Sequence, residues 1–475
     1  MSDFTALPDL AAERLGGVVL DADDEFFAPK ESLLKPEAPR FDPDAYTDRG
    51  KEMDGWETRR RREPGHDRCT IRLGVPGIVR GVVVDTSFFR GNYPDRCSLE
   101  ASADGGAEWF ELLPESPLEG DTQNPFAIDT VVRVTHLRFH IYPDGGVARL
   151  RVHGEPMPDL RTMVDADGRT DVASALAGGV VLDASDRFFS SPQNLLAPGD
   201  PEGMRDGWET RRRRGPGNDW VVIRLAAASE LERVEVDTSF FRGNYPDTCS
   251  FDVGDGKVWV EALTQTKLGP DRRETFALAP GTIATHVRFN IHPDGGVARL
   301  RVHGRFSDEG WRSFGVGWLN ALTPSAFERE VLACCASVVW ARAMREARPF
   351  GDFDAVLETS DAAWAALARA DRLEAFAAHP RIGDRKGSAW SKQEQAGTAS
   401  ADPEVLRALS EGNREYEERF GHVFLIDATG KGPEEMLEQL RRRLGNDPET
   451  ELAEASEQQR QISRFRLEKL VSSTR

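Results

Sequence analysis

The string DTSFFRGNYPD places Asp85, Arg90, Asn92, Tyr93 and Asp95 within eleven residues, and it returns letter for letter at 237–247, bringing Asp237 and Arg242. Two other polar strings are doubled with it. DGWETRRRR occurs at 54–62 and again at 206–214, and PDGGVARLRVHG carries Asp144, Arg149 and His153 in one copy, Asp294, Arg299 and His303 in the other. Arginine presents a planar fork that holds a carboxylate through two bonds, which the point charge of lysine does not match. Asp and Glu accept from urea-type NH2 groups, serve as general bases, or bind a metal. Any one of these residues is more often a solvated strand face or a turn cap. Three polar strings kept together in two copies point instead to a small anionic ligand rich in hydrogen-bonding groups. The copies part at FHIYPDGG against FNIHPDGG, where His140 and Tyr142 face Asn290 and His292 in the alignment. If only one copy is catalytic, the difference is expected there.

A second set of candidates lies far downstream. His379 ends EAFAAH before the rigid step at Pro380, and SKQEQAG follows at 391–397. A histidine and a glutamate on consecutive segments make an acid/base pair suited to neutral pH. The same letters fit plainer roles: Ser391-x-x-Glu394 is a capping box, and a helix-end histidine is commonly structural.

The elements that must position these residues fall into two kinds. In both copies, runs such as GVVVDTSFF and THLRFHIYP alternate β-branched and aromatic residues between NYPD and PDGG turns, which reads as short strands. A period of two puts Val147, Arg149, Arg151 and His153 on one face and turns Ala148, Leu150 and Val152 toward the core. The copies stand roughly 150 residues apart, so a whole fold is duplicated, most simply as two β sandwiches or jelly rolls. From about Trp311 the pattern turns helical. TPSAFEREVLACCASVVWARAMREA starts with Thr323 and Pro324 and reads as one helix, with Cys334 and Cys335 as buried free thiols. Of the remaining segments only 423–426 could pass for a strand, and a buried non-helical stretch is expected there.

Composition narrows the partners. The 475 residues carry a formal net charge of −19, the wrong sign for a phosphate-backbone binder or an anionic membrane surface. No apolar run approaches the length of a spanning helix, and the opening residues lack a secretory pattern. Five cysteines without a CxxC pair read as reduced thiols in the cytoplasm. Nucleic acid and membrane are thus not expected as partners.

The doubled strings resemble allantoicase (allantoate amidinohydrolase) over roughly residues 8–306. The resemblance implies two galactose-binding-like jelly-roll repeats, 8–160 and 170–306, and hydrolysis of allantoate to ureidoglycolate and urea. For that substrate, Arg90, Arg242, Arg149 and Arg299 are expected to grip the carboxylate, and Asp85, Asp144, Asp237 and Asp294 to hold ureido nitrogens or activate water. Whether a divalent metal assists is left open, as is the number of active repeats. HPRIG, SKQEQAG, EYEERFG and the terminal RLEKL resemble 2-oxo-4-hydroxy-4-carboxy-5-ureidoimidazoline (OHCU) decarboxylase over roughly 314–472. That family is all-α and uses no cofactor; its product is (S)-allantoin. By motif, His379 and Glu394 are catalytic, and Pro380, Ser391, Lys392, Gln393 and Gln395 line the pocket. Phe424, Leu425, Ile426, Asp427 and Ala428 form a further wall, and Arg466 holds an anionic group. Asp427 departs from the pattern, since relatives often carry a small neutral residue there. The expectation is therefore a bifunctional, homo-oligomeric, cytoplasmic enzyme of purine breakdown acting on small ureido acids. Its two steps are not consecutive: allantoin must be opened to allantoate by another enzyme. The competing reading makes the repeats ligand-binding modules attached to a helical decarboxylase.

Overall fold

Alternation decides the fold of each repeat. Along the strand Asp67–Asp85, Cys69, Ile71, Leu73, Val75, Gly77 and Val79 are buried, and the residues between them are half-buried or exposed. This long strand serves two sets of neighbours. Its first part pairs antiparallel with Val18–Ala22 and Arg133–Tyr142, its last part with Gln123–Ala127 and Arg149–Pro156, and the register breaks between Arg72 and Gly77. One strand thereby feeds both faces of a jelly roll. The second repeat builds the same arrangement on Asp219–Asp237. It differs in running Arg273–His292 as one strand where the first repeat uses two. The computed structural model describes residues 4–379, 402–428 and 431–472, and both repeats belong to a compact unit, Met1–Gly310.

The doubled strings meet at one place in each repeat. Trp56–Glu57 pairs with Gly146–Val147, and Gly146 donates its N–H to the Asn92 carbonyl at 2.7 Å. The second glycine of PDGG is required by contact, not by φ. A Cβ on Gly146 would stand 1.9 Å from the Phe89 ring, and one on Gly296 would meet Phe241 at the same distance. Gly146→Ala is accordingly expected to cost about 1–3 kcal/mol by overpacking, read as a lower melting temperature of the repeat unit.

The face of Arg149–Pro156 expected to look outward does so, but not into solvent. Arg149 is only 1% exposed because residues of the 37–54 segment cover it. Arg299 is 4% exposed beside Asp206.

The second unit, Trp311–Arg475, is helical throughout its described elements. The stretch read as one helix is two. Pro324–Leu332 starts under a cap from Thr323, and Val338–Glu346 starts under a cap from Ser337, so Cys334 and Cys335 sit in the break. Residues 423–426 form no strand; Phe424, Leu425 and Ile426 are buried in coil. All five cysteines are buried and free. Among the described residues no helix is long and apolar enough to cross a membrane.

Candidate functional site

In the first repeat, Asn92 donates to Glu57 Oε1 at 2.7 Å, Asp144 accepts the Arg61 N–H at 2.9 Å, and Thr58 and Gly145 exchange hydrogen bonds. The second repeat repeats each contact through Asn244 and Glu209, Asp294 and Arg213, and Thr210 and Gly295. Burial pushes the Glu57 carboxyl up, and the Asn92 hydrogen bond opposes the shift.

Arg90 and Arg242 have a definite partner. Phe88 and Phe240 adopt φ of 72° and 69°, a left-handed conformation that costs a non-glycine residue about 1–3 kcal/mol. Asp121 accepts the Phe88 N–H at 2.7 Å through one carboxylate oxygen and Arg90 Nε at 2.9 Å through the other. Asp271 does the same for Phe240 and Arg242. Each arginine therefore steadies the carboxylate that pins a strained turn.

The remaining candidates are also engaged. Asp85 and Asp237 accept the N–H of Ser87 and Ser239, each at 2.8 Å. Asp237 further pairs with Arg273 at 2.9 Å. Arg149 and Arg299 pair with Asp54 and Asp206 and donate to backbone carbonyls. The eight residues are thus engaged in local contacts, four in each repeat. Among the described residues, no group of three His, Cys, Asp or Glu side chains is placed to hold a metal ion.

Where the copies differ, the first assembles a chain the second lacks. His140 Nε2 lies 3.1 Å from Glu100, and His140 Nδ1 lies 2.9 Å from His66 Nε2. If His140 donates to the carboxylate, its Nδ1 accepts from His66, so the three groups can shift a proton along one line. The Tyr142 ring lies 4.5 Å from that of His66, tilted by 38°, and its hydroxyl bonds Ser98. In the second repeat Asn290 takes the place of His140 and bonds Asp252 at 3.0 Å. His140 and Tyr142 were legible as a difference between copies; Glu100 and His66 were not, since only the fold brings them there.

In the helical unit, His379 follows the helix Arg369–Ala377, and the last helix, Pro448–Val471, lies against it. The imidazole keeps some accessible surface, yet the protein around it and the nearby positive charge of Arg466 push its pKa down to about 4. The Gln459 amide opposes that shift, although its oxygen lacks a well-formed hydrogen bond. Ser463 bridges Gln459 and receives its Nε2–H at 3.1 Å. Burial also pushes the Cys335 thiol up to about 11. Gln459, Ser463 and Arg466 follow an i, i+4, i+7 spacing and share one face of the helix. Polar residues at core positions of an amphipathic pattern are the signal that reveals Gln459 and Ser463, which went unnamed from sequence.

The wall at 424–428 is held by side chains reaching in from elsewhere. Arg443 donates to the Leu425 carbonyl, Gln458 accepts the Asp427 N–H at 2.8 Å, and Lys431 donates to the Asp427 carbonyl at 2.6 Å. Ala428 is buried beside Ile426. Pro380, Ser391, Lys392, Gln393, Glu394 and Gln395 lie outside the described residues.

The chain matches a family model for the allantoicase repeat twice, at residues 8–157 and 170–307, and a model for OHCU decarboxylase at 320–468. It is 50% identical over 315 residues to a probable allantoicase of Nocardia farcinica, covering 63% of this chain and 95% of that one. The crystal structure of allantoicase from Saccharomyces cerevisiae is 37% identical with a TM-score of 0.55, covering 62% of this chain and 92% of that one. An OHCU decarboxylase crystallised in the presence of (S)-allantoin is 33% identical, covering 30% of this chain and 96% of that one, at a TM-score of 0.28.

Proposed function

The chain belongs to the allantoicase family through its two repeats, it carries an OHCU decarboxylase domain after them, and on that premise we infer how its residues serve two activities in purine breakdown. One activity hydrolyses allantoate to ureidoglycolate and urea; the other decarboxylates OHCU to (S)-allantoin. The observation that carries the decarboxylase assignment is the place of His379 against the last helix, where burial and the charge of Arg466 hold its pKa down. A neutral ring can take a proton and return it to one face of the carbanion left when CO2 departs. Arg466 supplies the positive charge for an anionic group of the substrate. Phe424, Leu425 and Ile426 supply an apolar wall, and a carboxylate stripped of water there gives up CO2 more readily. Glu394 is the partner that the family motif supplies. A location in the cytoplasm is supported by the five buried free thiols, which suit a reducing compartment.

Two assays on the intact chain test the reading: urea release from allantoate, and the handedness of allantoin formed from fresh OHCU. No urea, or racemic allantoin at the uncatalysed rate, rejects the corresponding half. The pH dependence is a sharper check on His379. With its pKa lowered from 6.5 to about 4, the base form persists well below neutrality. An acid limb of decarboxylase kcat/KM set by His379 is expected near pH 4, and a limb at 6.5 would show a solvated ring. The unfolded chain binds the His379 proton at higher pH than the folded one. Folded stability is therefore complete above about 6.5 and declines as the pH falls toward about 4.

A further inference from the structure

Two of the positions at which the repeats differ in charge, Arg14 and Arg187, lie at a seam between them. A cavity of about 260 Å³ opens there, lined by Asp9, Arg14, Arg151 and His153 from the first repeat and by Arg187 and Gln193 from the second. It is a little smaller than the pockets of about 300–1,000 Å³ that hold drug-sized ligands, a fit for a small metabolite. Three guanidinium groups and one carboxylate line it, and Arg187 also stands 3.8 Å from Asp183. Asp9 is already occupied, accepting the N–H groups of Ala11 and Val152 at 3.1 and 2.9 Å and standing 3.6 Å from Arg151. Arg14 crosses to the second repeat and donates to the neutral Asn194 amide oxygen at 2.5 Å. No described carboxylate forms an ion pair with it. Arg14 keeps exposed surface while surrounding protein depresses its pKa, and burial depresses that of Arg151 as well. Exposed surface on a poorly hydrated charge is what a residue lining a recess has. His153 points its Nδ1–H at the Leu7 carbonyl at 2.8 Å. Its Nε2 is then left as an acceptor.

The seam is not duplicated along with the repeats. Arg14 aligns with Leu176, and Arg187 aligns with Glu25, so the matching positions of the other copy offer an apolar group and a negative charge. Asp9, Arg151 and His153 do have counterparts, in Asp171, Arg301 and His303. The two residues that make the recess strongly positive are the ones added to a shared frame.

We propose that this seam cavity binds the carboxylate of a small ureido acid, one molecule per chain, with Arg14, Arg151 and Arg187 around the carboxylate and His153 and Gln193 meeting the ureido groups. The inference rests on the allantoate-hydrolysing reading and locates its substrate. It gives both repeats a share in one site.

Hydantoate is a suitable probe, since it carries a carboxylate and one ureido group on a single carbon without being the hydrolysed substrate. Calorimetric titration of the full chain is expected to show one hydantoate bound per chain. Arg187→Glu places at the rim the residue the first repeat already carries there, and Arg187 is 41% exposed, so folding is not at risk. That variant, and Arg14→Leu, should weaken hydantoate binding and raise the KM for allantoate by about 10- to 100-fold, the loss typical of a charge-assisted contact. OHCU decarboxylation should be unchanged. Two hydantoates per chain, none, or binding by Arg187→Glu equal to that of the parent would overturn the proposal. So would loss of urea release in His140→Asn with Arg14→Leu fully active, which would move the chemistry to the imidazole pair. If hydantoate binds as described and the parent chain releases no urea from allantoate, the seam site stands and the hydrolytic reading falls.

Discussion

His379→Ala is expected to lower the rate of (S)-allantoin formation by about 10²- to 10⁴-fold, the range that a positioned acid or base contributes. The allantoin that still forms should lose its handedness, because the group that delivers the proton to one face is gone. Urea release from allantoate, carried by the repeats, should be unchanged in the same preparation. Removing the imidazole leaves Gln459, Ser463 and Arg466 on their helix, so KM should move far less than kcat. A variant that loses affinity and keeps its rate would show that His379 only lines the pocket.

The largest expected loss of stability comes from Glu451→Ala. Glu451 and Arg443 are 0% and 1% exposed. The carboxylate accepts Arg443 Nε at 2.9 Å, the Tyr416 hydroxyl, and Asn446 Nδ2 at 2.7 Å. Removing it strands a buried guanidinium, which typically costs about 3–5 kcal/mol. For a helical unit of this size that is a fall of about 6–20 °C in melting temperature, with the melting of the repeats unaffected. Decarboxylase activity should drop too, since Arg443 also holds the Leu425 carbonyl and covers the Phe424 ring. Glu451→Gln keeps the shape and one acceptor but also leaves the buried Arg443 without its counter-charge, so it should recover only part of the loss. A Gln variant as stable as the parent would show that the lost charge is not what costs.

Much of this molecule is readable from its letters because period and repetition are local signals. The inward residues of Asp67–Asp85 alternate up to Val79, and the doubled strings announce two copies of one fold. The fate of Arg149 is not local. A charged side chain on the outer face of a strand has the same sequence context whether water or another segment lies above it, and here residues from the 37–54 segment cover it. Arg90 illustrates the same limit: its partner, Asp121, is 31 residues away, and the strained Phe88 that they jointly pin carries no mark in the sequence. Identity between copies drew attention to the residues that build the turn. Arg14 and Arg187 fall where the copies disagree. Gln459 and Ser463 were legible in principle, as polar letters at buried positions of a helical period.

The verbatim repetition also bears on how the chain is made. Two identical strings within one chain can exchange partners, and swapping between like domains is a characteristic failure of repeat proteins. The knot around Phe89 and Gly146 could as well close around Phe241, because the contacting residues are the same. The strings lie roughly 150 residues apart, which at about 5–20 residues per second gives the first copy a lead of about 8–30 seconds during synthesis. A β domain folds within milliseconds to seconds, so on the ribosome the first knot closes before its twin exists. Refolding from denaturant removes that lead, and the yield of native protein by that route should be the poorer for it.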